Sequence, residues 1–313
     1  MSEYKVVVSD QVFPTVDLER SILADIDADL VVASGAMESV LEEAADADAI
    51  LNTYLPWDAD AISKLQKCKI IARYGIGVDN IDLAVAAEAG ITVTNVPDYS
   101  VEEVATHSLA LILATLRKVV EADLSVRSGS WDVGQFRPIR RLSTLTVGLV
   151  GYGRIARKIA QPLSALGAHI VAHDPYLNPD DSLPPLMSLD DLLEAADIVS
   201  LHVPLTEESR GLIGERELSL MKPNAVLINT SRGPLVDLDA LRVALKEGHI
   251  AGAGLDVFDV EPLDPGRIEG IPNLVVSPHM AYYSEEALKE SQRKAATQVT
   301  KVLTGQAPDY QVN

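Results

Sequence analysis

The sequence predicts an α/β protein with two domains, each built on a doubly wound parallel sheet. Its 313 residues exceed one typical domain and suit two. Short β-rich runs alternate with helix-like segments in both parts of the chain, which is the pattern of parallel sheets covered by helices. A glycine-rich turn near the middle joins a strand to a helix and is typical of the same class.

The first part of the chain, up to about residue 96, contains five predicted strands. They cover residues 4–8, 30–33, 49–51, 69–73 and 91–95. Residues 58–65 and 83–89 carry helix-like apolar spacing. No phosphate-binding fingerprint occurs in this part, so we expect it to serve another role.

A second glycine-rich turn, residues 73–80, follows the fourth of these strands. Open α/β sheets bind ligands at the carboxyl ends of their strands. Gly75 and Gly77 would let backbone N–H groups meet a carboxylate without obstruction by side chains. An ordinary strand-to-helix turn with Asp79 as the helix N-cap explains the same residues equally well.

Residues 101–120 are predicted to form one long, nearly uncharged helix. Because it is apolar almost all round, we expect it to be buried, either between domains or against a second subunit. The loop-rich residues 121–145 follow and contain Arg137, Arg140 and Arg141. These arginines could bind an anion, but salt bridges to the acidic surface are favoured.

The central turn has the fingerprint of a dinucleotide-binding unit. A strand at residues 147–150 leads into Gly151-x-Gly153-x-x-Ala156 and a helix, whose N-terminus favours a phosphate. The next strand ends in Asp174, at the spacing of an acid that binds the adenosine ribose. A carboxylate there repels a 2′-phosphate, so NAD is favoured over NADP.

Further strands at 198–203, 225–229, 253–257 and 274–276 bring this second sheet to six. Among the polar residues that follow the strand ends, Arg232, Glu261 and His279 suit a hydride transfer. Histidine ordinarily titrates near neutrality and can act as acid or base. Glu261 would favour the imidazolium and fix its tautomer, and Arg232 would clamp a carboxylate or polarise a keto oxygen.

Composition limits the classes of partner. The formal charge of −20 argues against nucleic acid and anionic membranes. The single cysteine, Cys68, lies beside an apolar pair and is expected to be buried and inert. The N-terminal residues look like a strand and not a signal peptide, so we expect a cytoplasmic location.

Several motifs, in order, resemble the D-isomer-specific 2-hydroxyacid dehydrogenase family over nearly the whole chain. The residues 101–110 and 283–287 further resemble its branch that includes phosphoglycerate dehydrogenases and C-terminal-binding-protein corepressors. The matching motifs are YGIGVDNID (74–82), GLVGYGRIARKIA (148–160), INTSRGPLVD (228–237), GAGLDVFDVEP (252–262) and SPHMAYYSEEA (277–287).

The resemblance implies a role for each matching residue. Arg232, Glu261 and His279 would be catalytic. Substrate would contact Arg232, Tyr282 and the backbone of Gly75, Ile76 and Gly77. The implied NAD contacts are Gly151, Tyr152, Gly153, Arg154, Ile155, Asp174, His202, Pro204, Thr230 and Asp256. No metal is implied.

The resemblance also implies a discontinuous domain arrangement. Residues 1–100 and 284–313 would form a flavodoxin-like substrate (catalytic) domain, and residues 101–283 a Rossmann NAD-binding domain, with the active site in a closing cleft between them. A homodimer would form through the NAD-binding domain. We expect no regulatory domain after Asn313, which disfavours a phosphoglycerate dehydrogenase under serine feedback but leaves a short form of that enzyme open.

We therefore expect an NAD-dependent enzyme that interconverts a D-2-hydroxyacid and its 2-keto acid, with His279 as acid and base. Phosphoglycerate, glyoxylate or hydroxypyruvate, and longer-chain substrates all remain open. The alternative is an NAD(H)-responsive interaction protein of the corepressor type with little turnover.

Overall fold

The computed structural model describes residues 2–178, 180 and 183–313. The chain divides into two compact units, one formed by Met1–Tyr99 with Ser284–Asn313 and the other by Ser100–Tyr283. Each unit contains one parallel sheet with helices between its strands, so the predicted fold class is confirmed. Within the described ranges, no helix is long and apolar enough to cross a membrane.

The first unit contains a five-stranded sheet. Its strands are β1 (Tyr4–Val8), β2 (Ala28–Val32), β3 (Ala49–Asn52), β4 (Ile70–Arg73) and β5 (Thr92–Thr94). They lie in the doubly wound order β2-β1-β3-β4-β5, with every pair parallel. All five correspond to predicted strands. Sheets of this order bind ligands beyond the carboxyl ends of their strands.

Five α-helices belong to the described part of this unit. They are α1 (Asp17–Leu23), α2 (Met37–Ala44), α3 (Ala59–Ser63), α4 (Leu83–Glu88) and α11 (Glu285–Leu303). Asp82 caps α4 by accepting the Val85 N–H at 3.0 Å. The alternative explanation of Asp79 as the N-cap is therefore wrong, because the helix begins three residues further along the chain.

The core of the first unit is made of strand residues covered by helices. Trp57, Ile50 and Ile71 have no exposed surface. Cys68 is also buried, and burial raises the pKa of its thiol to about 12. The thiol stays protonated at neutral pH, as expected for an inert cysteine.

The second unit contains a six-stranded parallel sheet. Its strands are β6 (Thr146–Val150), β7 (His169–His173), β8 (Ile198–Leu201), β9 (Val226–Asn229), β10 (Gly252–Leu255) and β11 (Leu274–Val276). They lie in the order β11-β10-β9-β8-β6-β7. Beyond the edge strand β7, Leu186 forms one isolated parallel bridge with Ala172. A full dinucleotide-binding sheet has a further strand at this position.

The remaining helices lie in the second unit. They are α5 (Val101–Arg117), α6 (Val119–Arg127), α7 (Arg154–Ala165), α8 (Leu189–Ala195), α9 (Glu215–Leu220) and α10 (Leu238–Lys246). The prediction of one helix over residues 101–120 is wrong, since Lys118 adopts a left-handed conformation with φ 52° and separates α5 from α6. The residues of α6 are not buried.

Helix α5 packs closely on the sheet. A Cβ on Gly254 of β10 would lie 3.1 Å from the Leu111 Cβ of α5, so the absence of a side chain lets the helix approach the strand. Leu111 and Ile112 are buried on this face. This packing brings the N-terminal half of α5 to the carboxyl ends of the strands.

Candidate active site

His279 and Glu261 form a close pair at the carboxyl end of the second sheet. Glu261 follows β10 and His279 follows β11, two strands that pair side by side. His279 Nδ1 lies 2.7 Å from Glu261 Oε2. Glu261 Oε1 accepts the Phe258 N–H at 2.8 Å, which holds the carboxylate in place. The structure therefore brings together two of the three residues predicted to be catalytic.

The surroundings of Glu261 keep its carboxylate ionised. Burial raises its pKa. The hydrogen bonds from His279 and Phe258, together with the charges of His279 and Arg232, lower the pKa by more than burial raises it. The pKa of Glu261 consequently lies below its ordinary value. An ionised carboxylate has no proton to donate, so His279 Nδ1 carries the hydrogen in this pair.

Arg232 joins this pair through a tightly packed turn. A Cβ on Gly233 would lie 1.8 Å from the Phe258 carbonyl carbon, so only glycine lets this turn contact the segment before Glu261. The Asn229 side chain closes the turn by donating to the Arg232 carbonyl at 2.8 Å and accepting from the Ser231 N–H at 3.0 Å. All three predicted catalytic residues thus lie at one edge of the sheet.

Tyr282 and Asp256 border His279. The Tyr282 ring lies 6.2 Å from the His279 ring in an edge-on arrangement. Asp256 is fully buried, and its carboxylate accepts the N–H groups of Met280 at 2.9 Å and Ala281 at 2.8 Å. The predicted contact between Asp256 and NAD stays a prediction. In the structure, the Asp256 carboxylate binds the backbone of the loop that carries His279.

The fingerprint turn, residues 151–153, packs against residues on both of its sides. Gly151 has φ 83°, and a Cβ there would lie 2.6 Å from the His202 carbonyl oxygen, so glycine is required. A Cβ on Gly153 would meet no atom within 4 Å, which leaves open space at the start of α7. Arg157 donates to the Tyr152 carbonyl at 3.2 Å and lies 4.8 Å from the ring centroid of Tyr152.

Asp174 contacts the same turn. Its Oδ2 accepts the Tyr152 N–H at 3.0 Å, and its Oδ1 accepts the Tyr176 N–H at 3.0 Å. Each carboxylate oxygen keeps a second lone pair that can accept a hydroxyl group. Asp174 can therefore bind a ribose while it also fixes the phosphate-binding turn. Arg154 and Ile155 open α7 directly after this turn.

Three further predicted cofactor residues follow β8 and β9. His202 Nε2 lies 2.9 Å from Ser200 Oγ, while its buried Nδ1 has no hydrogen-bond partner in the described part of the chain. Burial lowers the pKa of His202 to about 4, so the ring is neutral at pH 7. Thr230 Oγ1 lies 2.7 Å from Ser108 Oγ of α5, and Pro204 is exposed.

The 75–77 turn belongs to the other unit and has its own anchors. Val96 donates its N–H to the Gly75 carbonyl at 3.0 Å, and Asn95 Nδ2 donates to the Ile76 carbonyl at 2.7 Å. A Cβ on Gly75 would lie 1.7 Å from Arg73 Nη1, so the Arg73 guanidinium lies directly over this residue. The structure thus places a cation beside the predicted carboxylate-binding turn.

Sequence reasoning missed several residues of the site. Arg157, Ser108, His107 and Ser277 all contact predicted site residues. They lie within the segments that carry the family resemblance, but the sequence assigned them no role, because their spacing from those residues gives no periodic signal. Among the arginines after α6, Arg140 pairs with the buried Asp197 at 3.2 Å. Arg140 therefore forms a salt bridge, but its partner is buried and does not belong to the acidic surface that the sequence favoured.

Comparison with known proteins identifies the family. Residues 109–281 match the model for the D-isomer specific 2-hydroxyacid dehydrogenase, NAD binding domain. A D-3-phosphoglycerate dehydrogenase of Methanocaldococcus jannaschii is 37% identical over 99% of this chain and 59% of its own length. A glyoxylate reductase of Thermococcus litoralis is 40% identical over 88% of this chain and 86% of its own length. The chain belongs to the D-isomer-specific 2-hydroxyacid dehydrogenase family.

Solved structures agree with this membership. The TT0316 protein from Thermus thermophilus superposes with a TM-score of 0.89 at 36% identity, covering 99% of this chain and 100% of its own. A D-lactate dehydrogenase from Aquifex aeolicus, complexed with NAD and lactic acid, gives 0.86 at 30% identity and covers 96% of both chains. This family member spans between half and three-fifths of the phosphoglycerate dehydrogenases it matches.

NAD is the cofactor of this 2-hydroxyacid dehydrogenase family member. The residues in its second unit fit a dinucleotide: open space above Gly153, the N-terminal N–H groups of α7 and, among the described residues, an orphaned buried nitrogen on His202. No group of His, Cys, Asp and Glu side chains in the described ranges is arranged to hold a metal ion.

Proposed function

We propose that this chain is an NAD-dependent dehydrogenase that interconverts a D-2-hydroxyacid and its 2-keto acid. The observation that carries the proposal is the 2.7 Å contact between His279 Nδ1 and the ionised Glu261, with Arg232 at the same sheet edge. Relatives named as dehydrogenases and reductases favour an enzyme over a corepressor-type interaction protein.

His279 is proposed as the acid and base. When bound, the reduced nicotinamide supplies a hydride to the carbonyl carbon of the keto acid. His279 delivers a proton from Nε2 to the carbonyl oxygen, while Glu261 holds Nδ1–H and stabilises the imidazolium. In the reverse direction, the neutral ring accepts the hydroxyl proton at Nε2, because Nδ1 already carries the hydrogen that Glu261 binds.

Substrate binding is proposed to rest on backbone and side-chain donors. The planar guanidinium of Arg232 suits a substrate carboxylate or the keto oxygen. The N–H groups of Gly75, Ile76 and Gly77 are proposed as further donors to the carboxylate. Tyr282 is proposed to contact the substrate because its ring borders His279.

The cofactor residues are proposed from the same contacts. The turn formed by Gly151, Tyr152 and Gly153, with Arg154 and Ile155 at the start of α7, would bind the pyrophosphate. Asp174 would bind the adenosine ribose and disfavour NADP. The remaining proposed contacts line the carboxyl ends of the strands: His202, Pro204, Thr230 and Asp256.

A panel of 2-keto acids tests the activity and identifies the substrate. NADH oxidation is measured with glyoxylate, hydroxypyruvate, phosphohydroxypyruvate, pyruvate and branched-chain analogues, and the reverse reaction with D- and L-2-hydroxyacids. We expect turnover of at least one keto acid and reversal with the D-isomer alone. Tight NADH binding without turnover of any of these acids would contradict the proposal and favour an interaction protein.

We also propose a homodimer that forms through the second unit and resides in the cytoplasm. Apolar side chains on α6 and the following segment are exposed, including Leu124 at 61% and Trp131 at 89%. Such side chains indicate an interaction surface, and a second copy of the chain is the proposed partner. Light scattering should give twice the monomer mass of 33.6 kDa, and Leu124→Asp should shift the protein to a monomer. A monomeric wild-type protein would contradict this proposal.

The net charge of −20 disfavours direct binding to nucleic acid.

A further inference from the structure

Two neighbouring side chains of α5 contact two different loops of the candidate active site. His107 Nε2 lies 2.8 Å from Ser277 Oγ, just before His279. Ser108 Oγ lies 2.7 Å from Thr230 Oγ1, just before Arg232. Helix α5 therefore contacts two of the three loops that carry proposed catalytic side chains.

The contact of His107 continues into Asp256. Ser277 Oγ donates its hydrogen to Asp256 Oδ1 at 2.6 Å, and the same carboxylate accepts two backbone N–H groups. The Ser277 oxygen must then accept from His107, which fixes the hydrogen of His107 on Nε2. His107 Nε2 also lies 3.6 Å from Asp256 Oδ1. The three side chains form one directed chain of hydrogen bonds.

Asp256 holds the backbone on both sides of the His279 side chain. Its carbonyl oxygen accepts the His279 N–H at 2.7 Å, and its carboxylate accepts the next two N–H groups. His279 itself has φ 52°, a left-handed conformation that is unfavourable for a residue with a side chain. Such a conformation persists only where its surroundings enforce it.

We propose that His107 is a positioning residue for His279. By donating to Ser277, it orients the hydroxyl toward Asp256, and Asp256 then holds His279 in the left-handed conformation that aims its ring at Glu261. The hydrogen bond of His107 goes to Ser277 and not to a proposed reacting group, so its effect passes through the loop. The inference rests on the proposed acid and base role of His279.

The test compares substitutions at His107 in the full-length protein with a keto acid that the wild type reduces. His107→Phe keeps a flat ring but removes the donor, and we expect kcat to fall about tenfold or more. The NADH Kd, measured by fluorescence, should change by less than kcat does, because the fingerprint turn that would bind the pyrophosphate is untouched. His107→Gln restores a donor and should recover kcat to within about threefold of wild type.

Two further measurements separate positioning from general loosening. The primary isotope effect with deuterated NADH should rise in His107→Phe, because a misplaced His279 slows the chemical step. Ser277→Ala should lower kcat as well, and combining it with His107→Phe should add little, since both break one chain of hydrogen bonds. If His107→Phe does not fold, Ser277→Ala, which deletes one hydroxyl group, carries the test.

Thr106→Val is the matched control on α5. Its hydroxyl bonds to the Glu102 and Glu103 carbonyls of its own helix, so kcat should not change. A kcat within about twofold of wild type in His107→Phe, or additive losses in the double variant, would overturn the positioning role. Failure of the acid and base role of His279 is distinguishable, because it would show as full turnover in His279→Ala, and failure of the proposed function would show as no turnover in the wild type.

Discussion

The two glycine turns of this chain look alike in sequence but differ in structure. Both have the form Gly-x-Gly and follow a strand at its carboxyl end. In the second unit, α7 starts at Arg154 directly after Gly153 and presents its N-terminal N–H groups. In the first unit, no helix begins until Leu83, and the Arg73 guanidinium covers Gly75 instead.

This difference separates two ways to bind an anion. A helix N-terminus combines several N–H groups with the helix dipole and suits a pyrophosphate. A turn with a side-chain cation beside it suits a single carboxylate. We therefore expect the two turns to bind different ligands, and substitutions at each should affect different kinetic constants.

The largest expected effect comes from Gly151→Ala, compared with Gly75→Ala. Gly151 has positive φ, and its Cβ would strike the His202 backbone, so we expect a loss of about 2–4 kcal/mol in the free energy of unfolding. NADH affinity should fall with it. The Gly75 Cβ would strike only the flexible end of Arg73. We expect Gly75→Ala to cost less than about 1 kcal/mol and to raise the KM for the keto acid alone.

Urea unfolding and NADH titration measure both variants. Equal stability losses in the two would contradict the structural difference between the turns. An effect of Gly75→Ala on NADH affinity alone would contradict the assignment of the two ligands.

The next effect is a loss of stability at low pH that we expect in the second unit. All six histidines of the chain lie in this unit. The pKa of His202 is about 4 in the folded protein, below the ordinary 6.5, because the ring is buried. The unfolded chain therefore takes up this proton first as the pH falls. The stabilisation is complete above pH 6.5 and is lost progressively towards pH 4, by up to about 3 kcal/mol.

Urea unfolding at pH 7, 5 and 4 checks this linkage. His202→Asn should lose less stability than wild type over that range, while His249→Gln, at a side chain that is 60% exposed, should follow the wild type. Identical pH dependence in wild type and His202→Asn would show that the buried ring does not carry the effect.

A smaller effect is expected from Gly153→Ala. Its Cβ would meet no protein atom within 4 Å, so the melting temperature should not change. The methyl group would instead occupy the space proposed for the pyrophosphate, and we expect NADH affinity to fall about tenfold. Calorimetric titration measures this, and unchanged affinity would place the phosphates elsewhere.

The smallest effect is expected from Asp174→Asn. The amide oxygen can still accept one of the two backbone N–H groups, but the charge that repels a 2′-phosphate is gone. We expect the preference for NADH over NADPH to fall about fivefold to tenfold. The ratio of kcat/KM for the two cofactors reports this, and an unchanged ratio would remove Asp174 from cofactor selection.

The sequence predicted the strands and the sheet edges well, because strand periodicity and turn residues are local signals. Residues such as Arg232 and His279 could be assigned to strand ends for the same reason. The hydrogen bond between His107 and Ser277 joins side chains 170 residues apart, and no local pattern encodes it. The break at Lys118 was missed because the apolar pattern continues across it.

The most direct test of the account is the turnover of His279→Ala, measured beside its NADH affinity in the same preparation. Because the ring lies at the sheet edge and not in the fingerprint turn, we expect NADH to bind with wild-type affinity. Loss of the proton donor should lower kcat by about a hundredfold or more. A variant that binds NADH and still reduces the keto acid at the wild-type rate would contradict the assignment of His279 as acid and base.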